Sequence, residues 1–181
     1  MKALLTLTVL AALAVPAAAS AQAAALAPVT GDVSITGKVD ARCVIAPTAL
    51  IALGEMADAN GVYNLVADNK TATLAGWCNG LTSAMTVAST AITRTGAAGT
   101  PPTGFVDVVN FVATAAVTPA GAGAPVSASD STLAAPSVAA SVGLFSGNVT
   151  VTLSGSSTPV AGKLVAGNYT GSVAVTLTPG L

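Results

Sequence analysis

The sequence contains no histidine, and charged residues make up only 7% of it, six Lys/Arg against seven Asp/Glu. The missing imidazole removes the commonest general base and a favoured zinc ligand. The acids Asp32, Asp40, Glu55, Asp58, Asp68, Asp107 and Asp130 are scattered over turns and polar strand positions. Their spacing proposes no converging carboxyl pair of the kind glycoside hydrolysis needs. Lys38, Lys70 and Lys163 stand in no Ser-x-x-Lys pattern, so the abundant hydroxyls lack an evident activating base. The glycine-rich stretch Gly96 to Gly104 lacks the lysine and hydroxyl of a phosphate-binding loop and the spacing of a dinucleotide site. Asp58-Ala59-Asn60-Gly61 echoes the opening of a calcium loop without its later ligands. A net charge of −1 without a basic cluster argues against nucleic acid as a partner. The expectation is a protein that is not an enzyme and uses no metal or cofactor.

Aromatics are equally scarce, at three Phe, two Tyr and one Trp. That is too few for the aromatic girdles of a membrane barrel. Long apolar runs are missing as well once the leader is passed, and none reaches the ~18 residues of a spanning helix. The leader itself has a charged start at Lys2, an apolar stretch Ala3 to Val15, and small residues after Pro16. Ala19-Ser20-Ala21 and Ala21-Gln22-Ala23 read as cleavage sites, so residues 1–23 are expected to be a signal peptide, leaving no membrane span once removed.

What is abundant is Ala, Val, Thr, Gly and Ser, a strand-forming composition punctuated by turns. Thr71 to Cys78, Ser83 to Thr93, Phe105 to Val117, Asn148 to Leu153 and Tyr169 to Leu177 read as strands. Asn60-Gly61, Asp68-Asn69-Lys70 and Asn79-Gly80 read as turns. The region Thr118 to Ala140 reads as a long loop with one short strand. Roughly seven to nine strands without an amphipathic helix predict an antiparallel β-sandwich. Cys43 and Cys78, the two cysteines, are expected to pair in an exported chain, stabilising it by roughly 4 kcal/mol. Trp77 abuts Cys78 and is expected to pack on that disulfide, although an exposed tryptophan would suit a sugar.

The most informative stretch runs from Val29 to Pro47. Val29, Gly31, Val33, Ile35, Gly37, Val39, Ala41 and Cys43 share one parity, and mostly polar residues occupy the other. This gives one small or apolar face and one wet face. It is too long for one ordinary strand, and Gly37 is the natural break. Residues 29–36 are then free to pair somewhere other than where Lys38 to Ile45 pairs.

The segment Gly31 to Pro47, followed by Ile51-Ala52-Leu53-Gly54 and the second cysteine Cys78, resembles the start of chaperone–usher fimbrial subunits of the type 1 pilus kind. Gly167-Asn168-Tyr169 and Ser172 to Thr178 are similar to the end of spore coat U-like subunits. The resemblance implies an immunoglobulin-like sandwich that lacks its last strand. The open groove would be filled first by a periplasmic chaperone and then by the N-terminal extension of the next subunit. It implies that 24–36 is a donor extension and 37–181 the pilin-like domain. Val29, Gly31, Val33 and Ile35 would be the inserted positions, with Gly31 letting the strand seat deeply. Expected partners are other pilin subunits, the chaperone and an outer-membrane usher, and the expected location is the cell surface, reached through the periplasm. The C-terminus Thr178-Pro179-Gly180-Leu181 departs from the family pattern, since proline limits backbone pairing there. The rival expectation is a non-polymerising secreted or surface-layer sandwich that binds glycan or calcium.

Overall fold

The computed structural model describes residues 28–134 and 137–181. The expected signal peptide and the first residues of the extension lie outside them. The chain divides into two units, Met1–Lys38 and Val39–Leu181. In the first, residues 28–38 contain no strand and every residue is exposed.

The second unit is built from ten strands, with no helix among the described residues. They are β1 (Cys43–Ile45), β2 (Thr71–Cys78), β3 (Ala84–Arg94), β4 (Phe105–Val106), β5 (Val108–Val117), β6 (Val126–Ser131), β7 (Ala140–Ser141), β8 (Phe145–Ser157), β9 (Lys163–Leu164) and β10 (Tyr169–Thr178). Eight of them join in the order β1-β2-β8-β5-β3-β10, with β6 added to β5 and β7 to β3. All these pairings are antiparallel, while β4 and β9 make a separate parallel pair. The fold is an all-β, antiparallel sandwich with one disulfide.

One strand turns the sheet on itself. The start of β5, Val108 and Val109, pairs with β3, whereas Val112 to Val117 pairs with β6 and Asn110 to Ala116 with β8. At that corner Val109, Asn110 and Phe111 are all buried, which explains why this segment is apolar on both parities. Further along, β5 returns to ordinary alternation, burying Ala113, Ala115 and Val117. Val149, Val151 and Leu153 of β8 and Met85, Val87 and Ile92 of β3 complete the centre of the core.

The two cysteines lie abreast on β1 and β2 and form the expected disulfide. Gly76 lets these strands approach, since a Cβ there would lie 2.9 Å from the Val44 carbonyl oxygen. Trp77 does not pack on the disulfide. Neighbouring residues of a strand face opposite sides, so with Cys78 buried Trp77 points outward, abreast of Val44, which is also exposed.

Candidate functional site

The sandwich has two seams, and they differ. At one, β6 lies against β3, and polar side chains bridge the gap. Asp130 Oδ2 accepts from the Ser89 backbone N–H at 2.7 Å and from its hydroxyl at 2.6 Å. Ser137 Oγ accepts from Val87 N–H at 3.1 Å and donates to Val87 O at 2.7 Å. These side chains satisfy backbone groups on the edge of β3 away from β10, between its short pairings with β7 and β5, where no strand of the described residues pairs on that side.

At the other seam a groove of about 930 Å³ opens between the segment Ile45 to Ala57 and strand β10. Its floor includes Ala72, Leu74, Ile92, Phe111, Val151 and Leu153, and its β10 wall runs from Tyr169 to Val175. The apolar residues here are only half-buried: Ile45, Ile51, Leu53 and Leu74 on one side, Tyr169, Val173 and Val175 on the other. β10 pairs with β3 along one edge and with no strand of the described residues along its other. Its free edge offers unpaired backbone donors and acceptors beside an apolar trough, the arrangement to which an extended segment adds as a further strand.

The inward row of β10 is Tyr169, Gly171, Val173 and Val175. Gly171 stands at an irregularity in the ladder, where Ala91 and Ile92 of β3 oppose it alone between the Thr93–Thr170 and Thr90–Ser172 pairs. A Cβ on Gly171 would come within 2.9 Å of Ile92 Cγ1, so Ile92 supplies the floor at that point. Tyr169 closes one end by donating to Val165 O at 2.7 Å. Burial, with the negative charge of Asp107 nearby, holds its phenol above the usual tyrosine range.

The far end of β10 is pinned. Its pairing with β3 runs to Thr178, abreast of Ala84, and stops before Pro179. Thr82 Oγ1 then donates to Leu181 O at 2.7 Å. Gly80 and Gly180 permit this closeness, because a side chain on either would strike the other strand end or Thr82. The same turn anchors the incoming chain: Asn79 Nδ2 donates to Asp40 O, and Arg42 N–H donates to Asn79 Oδ1.

Of the residues singled out from sequence, Cys43 and Cys78 meet in the disulfide beside this site. Val29, Val33 and Ile35 are 98%, 86% and 93% exposed, and nothing lies within 4 Å of a Cβ placed on Gly31. Sequence reasoning missed the wall made by Pro47 to Ala57. Its signal was the small alternation of Ile51 and Leu53 ahead of Gly54, too short to separate a groove wall from a strand. At the calcium-like turn, Asp58 Oδ1 accepts from Asn60 N–H and Val62 N–H. Those backbone bonds, that to Val62 foremost, hold its carboxyl below the usual range. Among the described residues no group of three His, Cys, Asp or Glu is placed to hold a metal.

Compared with protein-family models, with curated proteins and with solved structures, the chain matches none.

Proposed function

We propose that this chain is an exported structural subunit that polymerises by strand donation. Residues 29–36 of one copy enter the groove beside β10 of the next. The observation that carries this reading is the apolar groove bordered by the free edge of β10, in a chain whose residues 28–38 are exposed and alternate in polarity.

Magnitudes favour a strand over a generic apolar ligand. Burying Val29, Val33 and Ile35 contributes roughly 1.5–3 kcal/mol each. Ordering eight residues costs about 1–2 kcal/mol apiece for the backbone alone. Side-chain burial therefore does not suffice. The balance needs backbone bonds to β10 and the burial of the acceptor's own half-exposed Val173, Val175, Ile51 and Leu53. Only an extended peptide of matching periodicity supplies all of these together.

In this reading the resemblance to chaperone–usher subunits supplies the route. A periplasmic chaperone covers the groove until a sibling replaces it, an outer-membrane usher passes the subunits out, and the product is a surface fibre or coat. The full chain, purified and followed by light scattering, is expected to form polymers. Deleting residues 29–36, or introducing Val33→Asp with Ile35→Asp, is expected to leave a folded monomer. Polymers of unchanged size from these variants would overturn the reading.

A further inference from the structure

We infer that the outer face of β2 and β8 is a binding site for a neutral, extended, β-1,4-linked glycan, which stacks on Trp77 and is oriented by Asn148. The site is separate from the groove, because Ala72 and Leu74 of β2, which line the groove, have the opposite parity to Trp77. It does not depend on polymerisation.

Trp77 is the one tryptophan of the sequence, and it stands exposed where packing on the disulfide would have buried it. It lies abreast of Val44 on β1 and of Ser146 on β8. One step along the face comes Asn148, and one step further Thr73 beside Thr150. Asn148 and Thr150 point outward, since Val149 between them belongs to the core. On the opposite outer face the hydroxyls satisfy one another, Thr90 with Ser172 at 2.8 Å and Thr95 with Thr170 at 3.4 Å. Around Trp77 the amide of Asn148 and the hydroxyls of Ser146, Thr73 and Thr150 have no hydrogen-bond partner among the described residues.

Charge, edges and area select the occupant. No outward residue of β1, β2 or β8 is charged, so a charged partner finds no counter-charge here. β2 is paired on both edges, with β1 and β8, and offers no edge to an added strand. On these strands, among the described residues, only Val44 and Trp77 expose large apolar side chains. That is far short of the ~800 Å² per partner that a stable protein interface buries around an apolar centre. An uncharged sugar fits what is left. Its ring sets an apolar face of C–H groups on the indole and turns its hydroxyls to the sides. The amide of Asn148 meets those hydroxyls as donor and acceptor together. Asn148 is diagonal to Trp77, roughly 7–8 Å away, within reach of the stacked ring and its neighbour. The outward row of β2 runs about 20 Å from Thr71 to Trp77, room for several rings in line. A straight glycan lies flat along that row, whereas a coiled α-linked one lifts off it. Exchanging water for sugar at the hydroxyls brings little net gain, so stacking supplies the affinity and the polar row the direction.

The full chain carrying Val33→Asp and Ile35→Asp, titrated with cellohexaose and with the β-1,4-linked hexamer of N-acetylglucosamine, tests this without interference from assembly. Tryptophan emission, which comes from Trp77 alone, is expected to shift saturably with at least one of them and less with maltohexaose. Affinity electrophoresis in gels containing hydroxyethylcellulose or glycol chitin then compares variants. Trp77→Ala is expected to weaken retention about tenfold or more, Asn148→Ala to weaken it severalfold, and Trp77→Tyr to recover most of it. All three are expected to keep the parent unfolding temperature. No shift and no retention with either β-linked glycan, or retention untouched by Trp77→Ala, would overturn the site. Stronger binding of maltohexaose would overturn the extended-glycan assignment. Retention abolished by a peptide of residues 28–38 but not by Trp77→Ala would place the sugar in the groove instead. Sideways association of wild-type polymers lost in Trp77→Ala, with no glycan bound, would assign the face to a second copy of the chain.

Discussion

Asp130 and Ser89 join two strands that do not pair: one carboxylate oxygen of Asp130, on β6, accepts both the N–H and the hydroxyl of Ser89, on β3. This clasp closes one seam of the sandwich while the other stays open. The Ser89 hydroxyl and N–H hold the Asp130 carboxyl below the usual aspartate range. A carboxyl depressed in the folded state stabilises fully above its unfolded value. That contribution is lost as pH falls through the lower, folded one. Thermal unfolding of the assembly-deficient chain should therefore weaken below about pH 4, and Asp130→Asn should flatten this dependence. Asp130→Ala should cost about 1–3 kcal/mol at neutral pH, because it leaves the half-buried Ser89 donors without this acceptor.

The disulfide fixes β1 beside β2 at the edge of the groove. Cys43→Ser with Cys78→Ser should lower stability by roughly 2–5 kcal/mol, read from the denaturant midpoint. Reductant should shift the wild-type midpoint and leave that of the double variant unchanged.

Gly76 has no room for a side chain against the Val44 carbonyl. Gly76→Val should push β1 away from β2 and cost about 1–3 kcal/mol by overpacking. Gly31→Val, at a position with open space around it, should leave monomer stability unchanged while weakening assembly, because the proposed donor strand would seat less deeply in the groove. Paired measurements of unfolding and polymer size separate the two effects.

Much of the sandwich was legible because its strands bury one face. Thr71 to Cys78, Ser83 to Thr93 and Tyr169 to Leu177 alternate and became β2, β3 and β10 within a residue or so. The double-sided apolarity of Phe105 to Val117 marked a strand near the middle of the sandwich, but not that β5 turns a corner between β3 and β8. Other features depend on partners that alternation does not name. The pattern running from Val29 to Cys43 marks the face that can be buried, but within this chain only Cys43–Ile45 forms a strand. Trp77 was misplaced by reading sequence adjacency to Cys78 as contact, when the pleat sends the two to opposite faces. Asp130 sits in a serine-rich stretch whose sequence carries no sign of the β3 backbone it satisfies. The groove is a relationship between residues more than a hundred positions apart, Ile51 and Val173 among them, so neither local segment discloses it.

The most direct measurement is hydrogen exchange at the β10 amides that do not bond to β3. In the chain carrying Val33→Asp and Ile35→Asp these should exchange rapidly. Adding a peptide of residues 28–38 should protect them to the level seen in the wild-type polymer. Equal, slow exchange in the variant without peptide would mean that the edge of β10 is already occupied, and would contradict strand donation.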